Sequence, residues 1–183
     1  MRTTRKICLV ALALLATVAC GRSFPAGRTP TETIRSLEGA LRDSNYAACY
    51  DLLTPEAQAQ VDQSTIAAQR VCAAMPETLR DKLDLDSFCD ASPRDALQEA
   101  ADRAKDADPS LEDRLNGFQI AVLDVQEYGE RAVVRVEMMW SNTKNEKQIT
   151  LVRRKTRWYL ESGQALSGVP LPRAPTIDRA SFT

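Results

Sequence analysis

Apolar residues recur at helical spacing as far as Asn116 and at every second position from Gly117 to Glu161. Ile34, Leu37 and Leu41 fall at i, i+3 and i+7 and predict a helix over Thr31–Arg42, broken by Asp43, Ser44 and Asn45. Tyr46, Cys49, Tyr50 and Leu53 repeat that stripe and predict a short helix to Leu53. T-P-E-A then opens a third helix, with Thr54 as N-cap, Pro55 at the first helical position and Glu56 in the first turn. Val61, Ala68, Cys72 and Met75 mark its inner face, and Pro76 ends it. Glu77 to Asp90 sets Leu79, Leu83, Leu85 and Phe88 among many acids and reads as a loose helical turn or a loop. Ser92 and Pro93 repeat the cap-then-proline start, and Leu97, Ala101 and Ala104 carry a helix to about Lys105, before Asp108 and Pro109.

The alternating region predicts four strands: F-Q-I-A-V-L-D-V-Q-E, R-A-V-V-R-V-E-M-M-W, Q-I-T-L-V-R-R and R-W-Y-L-E, with a turn over Asn142 to Lys147. Connections this short join antiparallel neighbours, because a parallel return needs a crossover of about a dozen residues. The expectation is an α+β domain over residues 30–162, with N-terminal helices packed on a C-terminal four-stranded antiparallel meander. Unbroken alternation puts Ile120, Val122, Val134, Val136, Met138, Trp140, Ile149, Leu151, Trp158 and Leu160 on the covered face. The opposite face mixes Leu123, Val125, Val133, Met139, Val152 and Tyr159 with Arg135, Glu137 and Arg154. That face is apolar enough to suggest a homodimer or an envelope protein partner. Residues 163–183, with Pro170, Pro172 and Pro175, read as a disordered tail.

Residues 1–19 have a different character: a basic head, an apolar run from Ile7 to Val18 and a small-residue exit at Ala19, the build of an export signal. The apolar run falls short of the roughly 20 residues a membrane-crossing helix needs. Thr17 to Gly21, T-V-A-C-G, resembles the lipobox of bacterial lipoproteins, which implies that Cys20 is acylated and becomes the mature N-terminus. A secreted protein cut near Ala19, with a free Cys20, is the alternative. Several acyl chains at about 0.8 kcal/mol per buried methylene would hold the protein on its membrane. Residues 20–29 then serve as lipidated N-terminus and tether, and the nine from Gly21 to Thr29 reach at most about 30 Å. Gly21, rather than Asp, after the cysteine points to the outer membrane, facing the periplasm, if the organism is diderm.

Loss of Arg2, Arg5 and Lys6 with the signal would leave 21 of the 24 basic residues against 25 acidic ones, a net charge of about −4 that argues against nucleic acid as partner. Pro30 to Asn116 holds 9 basic and 18 acidic residues, and Gly117 to Glu161 holds 8 and 6, so the expected helical half is acidic and the sheet half mildly basic. Cys49, Cys72 and Cys89 remain in a compartment that permits disulfides. Cys49 falls on a buried stripe, which favours pairing Cys72 with Cys89; Cys49 with Cys72 stays open.

The passage D-S-N-Y-A-A-C-Y-D-L-L-T-P-E-A and the closing L-V-R-R-K-T-R-W-Y-L, together with the helix-then-sheet order, resemble the small bacterial lipoproteins of the nuclear transport factor 2-like superfold. The resemblance covers about Pro30 to Ser162 and implies a sheet curled around the helices into a cone with an apolar pocket. Members of that superfold include isomerases and dehydratases that place an acid, or an acid and a histidine, in the pocket.

The chain contains no histidine, which removes the commonest general base, the usual triads and most zinc sites. The cysteines lack C-x-x-C spacing, so neither a metal nor a cofactor is expected. Asp124 shares strand parity with Ile120 and Val122 and is the one candidate for catalysis by a buried acid; a solvated acid at the strand mouth is the plainer reading. Glu137 faces away and is expected to pair with Arg154 or Arg135. Trp140, Trp158, Tyr46 and Tyr50 are candidates to line an apolar pocket, or else are core. Arg153, Arg154, Lys155 and Arg157 form a basic turn suited to anionic lipid or polymer, or simply a solvated hairpin. These features favour a non-enzymatic, membrane-anchored binding or accessory module for a protein partner or an apolar ligand. The alternatives are an acid-catalysed isomerase or dehydratase and a structural subunit of an envelope complex.

Overall fold

A computed structural model of the chain describes residues 23–141 and 143–163. The expected signal segment, Cys20 and the tail beyond Gly163 lie outside these residues. The chain folds as helices α1 (Pro30–Arg42), α2 (Tyr46–Asp51), α3 (Pro55–Ala73), α4 (Glu77–Lys82), α5 (Asp86–Asp90), α6 (Pro93–Ala107) and α7 (Ser110–Asn116), followed by strands β1 (Gln119–Tyr128), β2 (Arg131–Trp140), β3 (Thr143–Arg154) and β4 (Arg157–Leu160). The four strands form one antiparallel sheet in chain order, the expected meander.

Local chemistry sets the helix starts. Thr29 caps α1 in a reciprocal box with Glu32, while Thr54 and Ser92 cap α3 and α6, each just ahead of a proline. The stretch from Glu77 to Asp90 resolves into α4 and α5, joined through Asp84 in the left-handed region. α7 follows Pro109 directly, where the sequence suggested only a stop. Beyond its first turns α3 projects from the core: Ala68, expected inside, is exposed, and of the apolar residues between Ala57 and Met75 only Ala57 and Cys72 are fully buried.

Two sheet features depart from simple alternation. β3 begins at Thr143, which pairs with Trp140, so Thr143 to Lys147 is strand rather than turn. Its polar residues look like turn because that end of the hairpin extends past the core into solvent. In β1 the register slips between Val122, which pairs with Val136, and Asp124, which pairs with Arg135. This bulge at Leu123 puts Val125 opposite the buried Val134 and turns Asp124 to the outer face.

The core is sealed between the inner sheet face and α1, α2 and the end of α7. Ile34, Leu37, Leu41, Leu52, Leu53, Phe118, Val134, Val136, Leu151 and Leu160 are all buried in one cluster. The outer face stays half-apolar, with Leu123 43% and Tyr128 64% exposed.

Candidate functional site

The segment expected to be a free tether is docked on the domain from Phe24 onward, and this docking builds the most distinctive surface of the protein. β4 is a four-residue strand whose outward edge needs partners. The N-terminal strap supplies one: the Gly27 carbonyl accepts from the Trp158 backbone N–H at 2.9 Å. Farther along the same edge, the Leu160 N–H donates to the Leu52 carbonyl at 2.8 Å, and the Thr54 N–H donates back to the Leu160 carbonyl at 2.9 Å. The fully buried Thr33 hydroxyl joins strap, helix and sheet, accepting from the Gly27 N–H at 3.0 Å and donating to the Trp158 carbonyl at 2.9 Å. Ser36 Oγ holds the Pro25 carbonyl at 2.8 Å, and the Arg157 guanidinium holds that of Ala26 at 2.6 Å. Phe24 lies against α1 where Gly39 makes room: a Cβ at that glycine would stand 2.6 Å from the ring.

Between strap and α1 opens a recess of about 400 Å³ lined by Arg28, Glu32, Arg35, Ser36 and Arg157 together with strap backbone. All three arginines are exposed. Glu32 is committed to the cap, its carboxylate accepting from the Arg28 and Thr29 backbone N–H groups at 2.7 and 3.3 Å. No ion pair engages the side chains of Arg28 or Arg35 among the described residues. Nothing in the sequence marks this cluster, because it unites strap, helix and hairpin positions that share no spacing. Arg157 was visible only as part of a basic turn.

Two other basic residues of that turn are taken up by structure. Arg154 pairs with Glu56 at 2.8 Å, and the Arg153 guanidinium lies 5.7 Å from the centre of the Trp158 ring system. Glu137 pairs with Lys144 at 3.1 Å rather than with Arg154 or Arg135, since Lys144 stands opposite the neighbouring Met139. Glu56, Arg154, Lys155 and Tyr159 border a second recess of about 370 Å³ beside the start of α3.

The four aromatic candidates do not meet around either recess. Trp158 and Tyr46 are buried as core, Tyr50 is half-buried and donates to Asp62 at 2.8 Å, and half-buried Trp140 tilts against Phe118 with ring centres 6.2 Å apart. Burial pushes the Tyr46 phenol up to about 12. Its Oη is buried without a protein partner among the described residues.

Asp124, expected to share the inner face, is exposed on the outer one, its carboxylate accepting from Gln126 at 2.9 Å. The reason is the bulge, which no alternation count contains. A charged group the sequence reading missed is Lys147, half-buried opposite Val136 on the inner parity, where loss of water lowers its pKa. Cys72 and Cys89 are joined by a disulfide, with Cα atoms 5.8 Å apart, and Cys49 is free and buried in α2. Among the described residues no three His, Cys, Asp or Glu side chains converge as a metal-holding group, and no helix is long and apolar enough to cross a membrane. Set against protein-family models, curated proteins and solved structures, the chain finds no match in any of the three.

Proposed function

We propose that the protein is an envelope lipoprotein, acylated at Cys20, whose α+β domain works beside the membrane as a non-enzymatic binding or accessory module. The observation that carries this reading is the order T-V-A-C-G directly behind a basic head and a short apolar run. The packed domain supports it, since its first docked side chain, Phe24, follows that cysteine by four positions. A chain without histidine, whose one candidate acid stands in solvent, supports binding over proton transfer. We read the domain as a nuclear transport factor 2-like cone on its helices-then-meander order and on α1 packing against β1, β2 and β4. A protein partner across the half-apolar outer sheet face fits this role better than an apolar ligand, because Trp158 and Tyr46 are buried as core and line neither recess.

Metabolic labelling with palmitate tests the anchor. The wild type is expected to incorporate label and to sediment with membranes at its processed size, and Cys20→Ser to lose the label and accumulate as precursor. Label retained by Cys20→Ser, with processing unchanged, would overturn the proposal.

A further inference from the structure

We infer that the face formed by the strap, α1 and the β4 turn docks onto anionic phospholipid headgroups of the leaflet that carries the anchor, through Arg28, Arg35 and Arg157. This rests on acylation of Cys20 as proposed above. Four residue steps separate Cys20 from Phe24, so the docked strap begins at most about 14 Å from the acylated sulfur's own residue. That distance is far shorter than a free tether to Thr29 would allow. It holds the surface next to Phe24 against the bilayer, with only the remaining rotations free.

The chemistry of that surface fits phosphate-bearing lipid. Three exposed guanidiniums line one open recess, and the single carboxylate among them is occupied with capping two backbone amides. Arg157 is oriented by its hydrogen bond to Ala26, while Arg28 and Arg35 have no ion-pair partner among the described residues. A guanidinium donates two parallel hydrogen bonds to a phosphate, so such a cluster binds headgroups by geometry as well as charge. The span from Pro30 to Asn116 holds 18 acids and 9 bases, so an anionic leaflet repels the helical half of the body and favours an approach through this basic face. Each arginine near an anionic surface strengthens its attachment about fivefold.

The test uses the acylated protein extracted from membranes and reconstituted into vesicles of phosphatidylcholine, with or without one-third phosphatidylglycerol, with arginine modification by phenylglyoxal followed by peptide mass spectrometry. Arg28 and Arg35 are expected to react about fivefold or more slowly on the anionic vesicles, to recover their speed in high salt, and to leave Arg70 on α3 unaffected by lipid charge. Arg28→Gln/Arg35→Gln, which removes no side-chain hydrogen bond or ion pair among the described residues, is expected to stay anchored while Arg157 returns to its rate on neutral vesicles. Equal rates on both vesicles, or equal slowing of Arg70, would overturn the docking. Protection by inorganic phosphate alone, equal to that by phosphatidylglycerol, would replace it with a soluble-anion site. The intact mass separates the two levels: acyl chains absent from Cys20 overturn the anchor and this inference together, whereas an acylated protein indifferent to lipid charge overturns only the inference.

Discussion

The Trp158 backbone N–H donates to the Gly27 carbonyl across 2.9 Å, so the last strand of the sheet is closed by the segment that enters the domain. Thr33 is the joint of that closure, its buried hydroxyl serving Gly27 on one side and Trp158 on the other. Thr33→Val keeps the shape and leaves a buried N–H and a buried C=O without their partner, which costs about 1–3 kcal/mol each at most. The expected result is a loss of about 2 kcal/mol in urea unfolding, with Thr33→Ser close to wild type. Equal stability of the valine and serine variants would show that the strap does not depend on this hydroxyl.

The slip in β1 makes a second prediction, at Asp124 and Val125. Asp124 stands in solvent and Val125 packs against the core, the reverse of what unbroken alternation demands. Asp124→Asn is therefore expected to change stability by less than about 0.5 kcal/mol, and Val125→Asp to cost about 2 kcal/mol or more by pressing a carboxylate into apolar surroundings. The opposite order in chemical denaturation would restore the inward acid and reopen catalysis.

The same residues show where the sequence could be read and where it could not. Helix starts were legible at Thr54-Pro55 and Ser92-Pro93 because capping is chemistry within four consecutive residues. The meander was legible because alternate apolar positions in β2 repeat without interruption. The bulge was not, since inserting one residue into a ladder leaves no mark in a run such as V-L-D-V, whose apolar residues suit either face. The strap was not either: its contacts to Trp158, Thr33 and Arg157 run through backbone carbonyls and amides, which every residue type possesses. The arginine recess follows from the strap, so it too emerges only in three dimensions.

The cysteines separate cleanly by reactivity. Cys72 and Cys89 tie the end of α3 to α5 across a separation of 17 residues, a closure that stabilises by about 3 kcal/mol in the chain-entropy model. Alkylation under reducing conditions is expected to mark half-buried Cys89 first, to reach buried Cys72 only as the freed Glu77–Asp90 segment loosens, and to spare Cys49, which is buried in the core and whose thiol is pushed up to about 12 by that burial. Because α4 and α5 hold no fully buried residue, reduction is expected to loosen Glu77–Asp90 in hydrogen exchange well before it disturbs the sheet. Labelling of Cys49 in the folded, reduced protein would contradict its place in the core.

Alkaline pH gives the sharpest reading of that core. Burial raises the Cys49 thiol from 9.0 and the Tyr46 phenol from 10.0, both to about 12. Both groups are neutral when protonated, so below pH 9 they hold their protons in folded and unfolded chains alike and contribute no pH dependence. As pH rises past 9 and then 10, the unfolded chain releases these protons while the folded chain keeps them. The unfolded state then binds fewer protons, and stability falls by about 1.4 kcal/mol per pH unit for each group fully in that interval. Urea midpoints are therefore expected to be flat with respect to these groups up to pH 9 and to drop between pH 9 and 11. Cys49→Ala lowers stability at every pH by the packing it removes, yet it flattens the drop at its onset, which a purely steric role for the sulfur would not do. Tyr46→Phe, by the same argument, flattens only the part above pH 10. A slope unchanged in both variants would place the thiol and the phenol in water, and with them the α2 stripe that the core is built on.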